Sequence, residues 1–345
     1  MTTTRASARI ICVALAAACA SAIAQHSHEL IEVRSYPNGT GLWRDTLEPA
    51  EPFTAALLSW VPQPGVEETP WPGQKLGWSG IGFVLAGSPW LIDTRGEDAP
   101  PLADPADLLK AKVTLDVDMI EFEQPQRVLD VHVLHNAPRP RVFATLSRPG
   151  PPITADDGLA LTTRVWDVPF HAQAEAGTVP ESQPGSGASL AGRVCSPASI
   201  AMMLAARGVD VTVGQACALA YDPVHDLYGN WVRNTWAGSR LGVPMIVTRL
   251  NSWTQLAAWL EHGPVTISLP PFTSEQLPEA GYDNPSGHLI VVRGLDGSGG
   301  VLVTDPAHGT REKAQRTYPV TTLTELWLKQ KKGTAYVCLA ELIAE

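Results

Sequence analysis

The chain has 345 residues, 25 of them basic and 35 acidic, for a formal net charge of −10. That acidic surplus argues against nucleic acid or anionic lipid as a partner. A length above about 300 residues exceeds one typical core, so two domains are expected, and the 30 prolines point to much irregular or edge structure.

The first residues read as an export signal. Arg5 and Arg9 form a basic start, Ile10 to Ala20 is unbroken apolar chain, and Ser21-Ala22-Ile23-Ala24 offers a cleavage site before Gln25. The apolar core falls short of the ~20 residues that a membrane span needs. Residues 1–24 are therefore expected to be a signal peptide, and the mature protein to be exported, periplasmic or extracellular. Retention as an anchor and lipidation at Cys19 are the alternatives, although Leu15 stands one place too far upstream for a good lipoprotein box. No later stretch reaches span length, so no membrane span is expected after signal removal. Cleavage removes two arginines and no acid, leaving 23 basic against 35 acidic residues. The mature chain keeps Cys195, Cys217 and Cys338. Cys217 and Cys338 either pair or are two buried free thiols.

Residues 25–150 read as an all-β, sandwich-like domain. Apolar and polar side chains alternate through Val113 to Met119 and again through Leu129 to Val133, and less cleanly through Val142, Ala144 and Leu146. His26 and His28 sit at the start of the mature chain, where a disordered end is favoured over a weak metal site. Trp43, Trp60, Trp71, Trp78 and Trp90 crowd this segment. Packing is the simpler reading for them, and contact with a cell-wall or other glycan the alternative.

Pro149-Gly150-Pro151-Pro152 can continue neither helix nor central strand and marks the boundary to a second domain, residues 151–345. Pro180 to Gly192 reads as a mobile surface loop. Helical signals follow. Ser196 to Arg207 ends at Gly208, and Thr212 with Gln215, Ser252 with Gln255 and Thr322 with Glu325 have capping-box spacing. Short apolar strands are expected at Val265–Leu269, Leu289–Val292, Val301–Thr304 and Ala335–Leu339, making an α+β domain.

Three segments carry chemistry. Cys195, in Arg193-Val194-Cys195-Ser196-Pro197-Ala198-Ser199, opens the first of these helices, where the macrodipole and free N–H groups favour thiolate. His288 opens the strand Gly287-His288-Leu289-Ile290-Val291-Val292. Asp305 closes the return strand Val303-Thr304-Asp305-Pro306. If the turn centres between Asp296 and Gly297, His288 and Asp305 are cross-strand partners, as a base and its orienter must be neighbours. No metal pattern such as HExxH or CxxC is present, so neither metal nor other cofactor is expected.

Taken in order, these segments resemble cysteine peptidase family thirty-nine, the bacteriocin-processing, double-glycine leader peptidases of the papain-like clan. Tyr221-Asp222-Pro223-Val224 and Tyr228-Gly229-Asn230-Trp231 are similar to its stand-alone secreted branch. The resemblance implies a papain-like cysteine peptidase or amide hydrolase domain acting on a peptide or protein. Cys195 would be the nucleophile, His288 the base and Asp305 its orienter, with a covalent thioester acyl-enzyme. It also implies an oxyanion-binding glutamine on the strand Val168-Pro169-Phe170-His171-Ala172-Gln173. Gln173 stands 22 positions before Cys195, across the Gly/Ser/Pro insert, with Gln183 inside the insert as the alternative. Asn230 and Trp231 are candidates for shaping a substrate groove, or else for packing. The rival functions are a transglutaminase-like acyl transferase and a non-catalytic binding protein on a degenerate peptidase scaffold.

Overall fold

The structure is a computed structural model describing residues 26–33, 41–62, 79–85, 88–95, 105–116, 119–135 and 140–339. The expected signal peptide, residues 1–24, lies outside these, as does most of the Pro62 to Gly73 stretch.

The N-terminal unit contains two antiparallel sheets. The first runs in the order β1 (His26–Val33), β9 (Arg141–Pro149), β3 (Phe53–Val61), β7 (Met119–Gln126), β6 (Val113–Asp116). The second runs β2 (Gly41–Leu47), β8 (Leu129–His135), β4 (Ser79–Leu85), β5 (Ser88–Arg95). A short helix α1 (Pro105–Lys110) precedes β6. Leu58, Ile120 and Leu146 of the first sheet share a core with Leu47, Leu129 and Val131 of the second. Trp60, 1 % exposed, belongs to that core. The alternation from Val113 to Met119 is not one strand. β6 and β7 are antiparallel partners with Asp116 opposite Met119.

The weaker alternation in β9 has a physical cause. Successive strand side chains point to opposite faces, and here both faces are covered. Val142, Ala144 and Leu146 face the sandwich core. On the other face, Phe143 packs with residues of the C-terminal unit, Thr145 Oγ1 meets Thr248 Oγ1 at 2.9 Å, and Ser147 Oγ meets His28 Nδ1 at 2.9 Å. Ser59 on β3 accepts a hydrogen bond from the Val247 N–H (3.3 Å).

His26 and His28 do not form a loose end. They open β1, an edge strand whose backbone would otherwise expose unpaired groups. Asn251 covers that edge: its Oδ1 accepts from His28 N–H (2.6 Å) and its Nδ2 donates to His28 O (2.9 Å).

The C-terminal unit is α+β, built on one antiparallel sheet. Its strands are β10 (Met245–Arg249), β11 (Val265–Leu269), β12 (His288–Leu295), β13 (Gly300–Thr304), β14 (Gln315–Pro319) and β15 (Thr334–Cys338). Their order is β10-β15-β11-β12-β13-β14. On one face lie α2 (Cys195–Ala206), α3 (Val213–Ala220) and α4 (Trp231–Arg240), packed with Leu289 and Val291. On the other lie α5 (Trp253–Leu260) and the helical run α7 (Val320–Leu323), continued as a π-helix over Thr324–Gln330, packed with Ile290 and Val292. A four-residue helix α6 (Arg311–Ala314) precedes β14. Two-faced coverage makes these strands continuously apolar rather than alternating. β14 carries no such apolar run, and both it and the short β10, which opens on Met245-Ile246-Val247, escaped the sequence reading.

The local helix signals hold to different degrees. α2 ends where Val209 N–H reaches back to Leu204 O around Gly208 (φ 82°). Thr212 with Gln215 forms the full capping box, and Ser252 caps α5 by accepting from Gln255 N–H. Thr322 instead lies inside the helical run, which Pro319 introduces at Val320, so no capping box forms there. Cys217 and Cys338 are separate, buried free thiols.

Burial at the unit interface draws the His28 imidazole pKa down to about 2, and the Arg249 charge adds to this; His26, less enclosed, is drawn to about 4. A base whose folded pKa lies below its unfolded value adds stability above the unfolded pKa, about 6.5, and loses it as pH falls toward the folded value. Urea midpoints of the wild type should therefore fall between about pH 6.5 and about pH 4, and His28→Gln should flatten that slope. Parallel profiles in the two proteins would contradict this account.

Candidate active site

α2 is buried from Ser196 to Leu204, so it is a central helix rather than one with a single apolar stripe. Polar side chains fix its first turns: Ser196 Oγ meets Tyr336 Oη on β15 (2.8 Å), and Ser199 Oγ donates to Leu289 O on β12 (3.4 Å). Cys195, the first helical residue, is thereby held beside the start of β12, half-buried and lining a cleft of about 360 Å³.

β12 begins at His288, which is 3 % exposed and lines the same cleft. The expected cross-strand pairing of His288 with Asp305 does not form. The turn has three residues, Gly297-Ser298-Gly299, closed by Asp296 N–H to Gly300 O (3.1 Å). A bulge at Arg293 follows, so Val291 lies opposite Thr304 and the register differs by two residues from a two-residue Asp-Gly turn. Segment 162–166 docks at this bulge, with Trp166 N–H donating to Arg293 O (2.9 Å). Asp305 stands just past the end of β13 and still reaches His288: its Oδ1 lies 2.7 Å from Nε2. The same Oδ1 accepts from Ala307 N–H (2.9 Å), while Oδ2 accepts from Tyr282 Oη (2.6 Å) and Tyr318 Oη (2.9 Å).

With Nε2 engaged by Asp305, Nδ1 is left for the hydrogen bond between His288 and the Cys195 thiol. Burial alone works against each charge in this trio, and the neighbours overcome it. Burial would raise the Asp305 pKa, yet the His288 charge and the donated hydrogen bonds hold it well below the usual carboxylate range. Burial would lower the His288 pKa, yet Asp305 raises it far above the usual histidine range. Burial would raise the Cys195 pKa, yet the hydrogen bond and charge of His288, with the Leu289 N–H, bring it down. The arrangement favours a thiolate–imidazolium pair.

Gln173 lies elsewhere than on a strand. Residues 163–172 are irregular, and Gln173 opens a 3-10 turn, its N–H donating to Pro306 O (3.0 Å) one residue beyond Asp305. Its Oε1 is buried without a hydrogen-bond partner, and the residue is not among those lining the cleft. The insert that follows is not loose at its ends. Val179 N–H to Ala188 O (2.8 Å) and Leu190 N–H to Gly177 O (3.0 Å) close it into a compact loop. Gln183 within it accepts a hydrogen bond from Tyr228 Oη, and Tyr228 is a cleft residue.

Asn230 and Trp231 have different roles. Asn230 is 4 % exposed, caps α4 through Arg233 N–H (2.9 Å) and donates to Asp222 Oδ2 (2.9 Å), so it shapes the cleft only through the loop it holds. Trp231 lines the cleft itself, with the Lys331 ammonium 5.7 Å from its ring centre. Sequence reading placed Asp222 in a family-like stretch but gave it no role; it is 1 % exposed. It accepts from Val224 N–H (2.9 Å), meets His225 Nδ1 (2.8 Å) and lies 3.6 Å from Arg233 Nε. Asp-Pro-x at the start of a loop is the Asx-turn signal that marks it. This knot fixes loop 221–230, which supplies Asp226, Leu227 and Tyr228 to the cleft wall. Asp222→Ala removes the buried acceptor shared by Val224 N–H, His225 Nδ1 and Asn230 Nδ2, together with the carboxylate beside the Arg233 guanidinium. A loss of about 3 kcal/mol is expected in denaturant unfolding; a change within about 0.5 kcal/mol, the range of ordinary surface substitutions, would remove the knot from the account.

No curated protein matches the chain. Among solved structures, a double-glycine motif protease from an AMS/PCAT transporter, in complex with its leader peptide, is similar to it at 17 % identity and a TM-score of 0.32, covering 51 % of this chain and 96 % of that one. Residues 165–335, which contain Gln173, Cys195, His288 and Asp305, match the model described as Peptidase_C39 like family. Through that segment the chain belongs to the Peptidase_C39-like family of cysteine peptidases.

Proposed function

We propose that the protein is an exported, papain-like thiol peptidase or amide hydrolase that cleaves peptide or protein substrates through a covalent thioester. The observation that carries this reading is the 2.7 Å contact of buried Asp305 with His288, on the side of the imidazole opposite Cys195. A structural histidine needs no such polarised line from carboxylate through ring to thiol.

In the proposed reaction the Cys195 thiolate attacks the scissile carbonyl carbon, and the carbonyl oxygen takes up the electron pair. His288, protonated at Nδ1, gives its proton to the departing amine as the C–N bond breaks, leaving a thioester on Cys195. Neutral His288 then takes a proton from water, whose oxygen attacks the thioester carbonyl. Collapse releases the acid and returns the proton to the Cys195–His288 pair. The oxyanion is assigned to the Cys195 N–H at the open end of α2 and to the side-chain amide of Gln173. The anchoring of Gln173 at Pro306, beside Asp305, supports that assignment. Export rests on the apolar N-terminal segment and is part of the proposal.

Iodoacetamide discriminates cleanly here, because burial lifts the Cys217 and Cys338 pKa values to about 12 and both thiols are enclosed. Cys195 should alkylate fastest and keep its rate well below the free-thiol pKa of about 8.5. Cys195→Ala should abolish the fast labelling and the cleavage of a peptide library. His288→Ala should lower the cleavage rate by about 10³-fold or more, and Gln173→Ala by about 10²-fold. Labelling of Cys195 no faster than that of Cys217, with unchanged behaviour in His288→Ala, would sink the nucleophile assignment.

A further inference from the structure

The acid of the triad is held by more than its histidine. Asp305 is fully buried, and its two oxygens divide their work. Oδ1 serves His288 Nε2 and Ala307 N–H, while two phenol hydroxyls converge on Oδ2. The phenols come from separate parts of the fold. Tyr318 is on β14, opposite Val301 of β13. Tyr282 is on the excursion between β11 and β12, directly after Gly281, whose φ of 76° turns the chain inward.

We propose that Tyr282 and Tyr318 are positioning residues of the thiol reaction, clamping Asp305 Oδ2 so that Oδ1 holds His288 Nε2 and aims Nδ1 at Cys195. The proposal rests on the reading of Cys195 as nucleophile. Satisfaction of two buried hydroxyls is the simpler use of these contacts, since a buried phenol needs some partner. Against it stands convergence: both hydroxyls choose one oxygen of the one carboxylate that faces the base. Tyr282 also meets the His288 ring edge-on, with centroids 6.0 Å apart and planes at 88°. It therefore restrains the acid through its hydroxyl and the base through its ring. Its ring also meets those of Phe272 and His308, each with centroids 5.6 Å apart.

The charged and titratable groups around Asp305 come from every neighbouring element. His288 faces it from β12, Cys195 from α2 and His308 from the loop after β13. Arg316, on β14, Lys313, on α6, and Glu279, on the excursion, act on this cluster through His308 and Tyr318. Burial works to protonate Asp305, and the two hydroxyls are among the groups that keep it ionised. Without them its proton affinity rises, the imidazolium loses its counter-charge in acid, and the thiolate is lost at a higher pH.

The test is the iodoacetamide alkylation rate of Cys195 as a function of pH in the full chain, for wild type, Tyr282→Phe, Tyr318→Phe, the double variant and Tyr282→Leu. The double variant should move the acid limb up by about two pH units, since each lost hydrogen bond to a charged group is worth roughly one. Each single Phe variant should move it in the same direction by less, and its high-pH rate should match the wild type. Superimposable acid limbs in wild type and Phe variants, with a change only in Tyr282→Leu, would show the rings acting as packing and overturn the proposal. A uniform fall at every pH would overturn it as well. If the wild type shows no low-pH reactivity at Cys195, the underlying nucleophile reading fails first, and that outcome is distinct from normal wild-type labelling with unshifted variants. Should the double variant expose Cys217 to the reagent, the single variants, each keeping one clamp, decide the matter.

Discussion

A carboxylate with no access to water must have every lone pair answered from within the protein, and Asp305 sets that condition for the peptidase unit. The answering groups fix the surrounding backbone. β12 must begin at His288, β14 must lie beside β13 to bring in Tyr318, and the chain between β11 and β12 must fold inward at Gly281. The chain after β13 must also turn so that Ala307 N–H points back. The Cys195 sulfur comes last in this series. It is half-buried at a helix start and gains its charge from an imidazole that gains its own from Asp305.

Much of the site was legible because its signals are local. Cys195 before Pro197, Gly208 after α2, and the Thr212–Gln215 box each lie within one or two helical turns, where backbone chemistry decides the outcome. The His288–Asp305 neighbourhood was legible for a related reason: a glycine-rich turn between apolar runs makes a hairpin. The register was not, since the Asp296 side chain accepts from Ser298 N–H (2.7 Å) and Gly300 N–H (2.9 Å) and so selects a longer turn than Asp-Gly alone implies. Tyr282 and Tyr318 stand 23 and 13 residues before and after the carboxylate they hold. No periodicity links them to it, so only the folded chain shows the convergence. Gln173 is the intermediate case. The sequence suggested its role through a resemblance, and the structure puts its backbone beside Pro306 but leaves its side chain outside the lined cleft.

The sandwich was recognised from alternation and misjudged in the one place where alternation weakens. β9 looked like a poorer strand than β8, yet it is the more enclosed of the two. One face completes the sandwich core and the other packs on β10 of the peptidase unit. Small polar residues, Ser59, Thr145 and Ser147, carry much of that second contact. Polar alternation therefore marked a docking face here, rather than a wet one. The same interface explains why His28 is ordered and neutral: it lies where a strand edge, Asn251 and Arg249 meet.

The pairing of β1 with β9 joins the two ends of the sandwich, since His26 lies opposite Pro149. Every residue between them intervenes before that ladder can close, and closing so long a loop is slow compared with forming a hairpin. Among the described strands, β1 is thus the one whose partner lies furthest along the chain. The partner, β9, also forms part of the floor against which β10 packs. The peptidase sheet has that neighbour only where the N-terminal strands are in place, so the covering of β10 depends on the sandwich being formed.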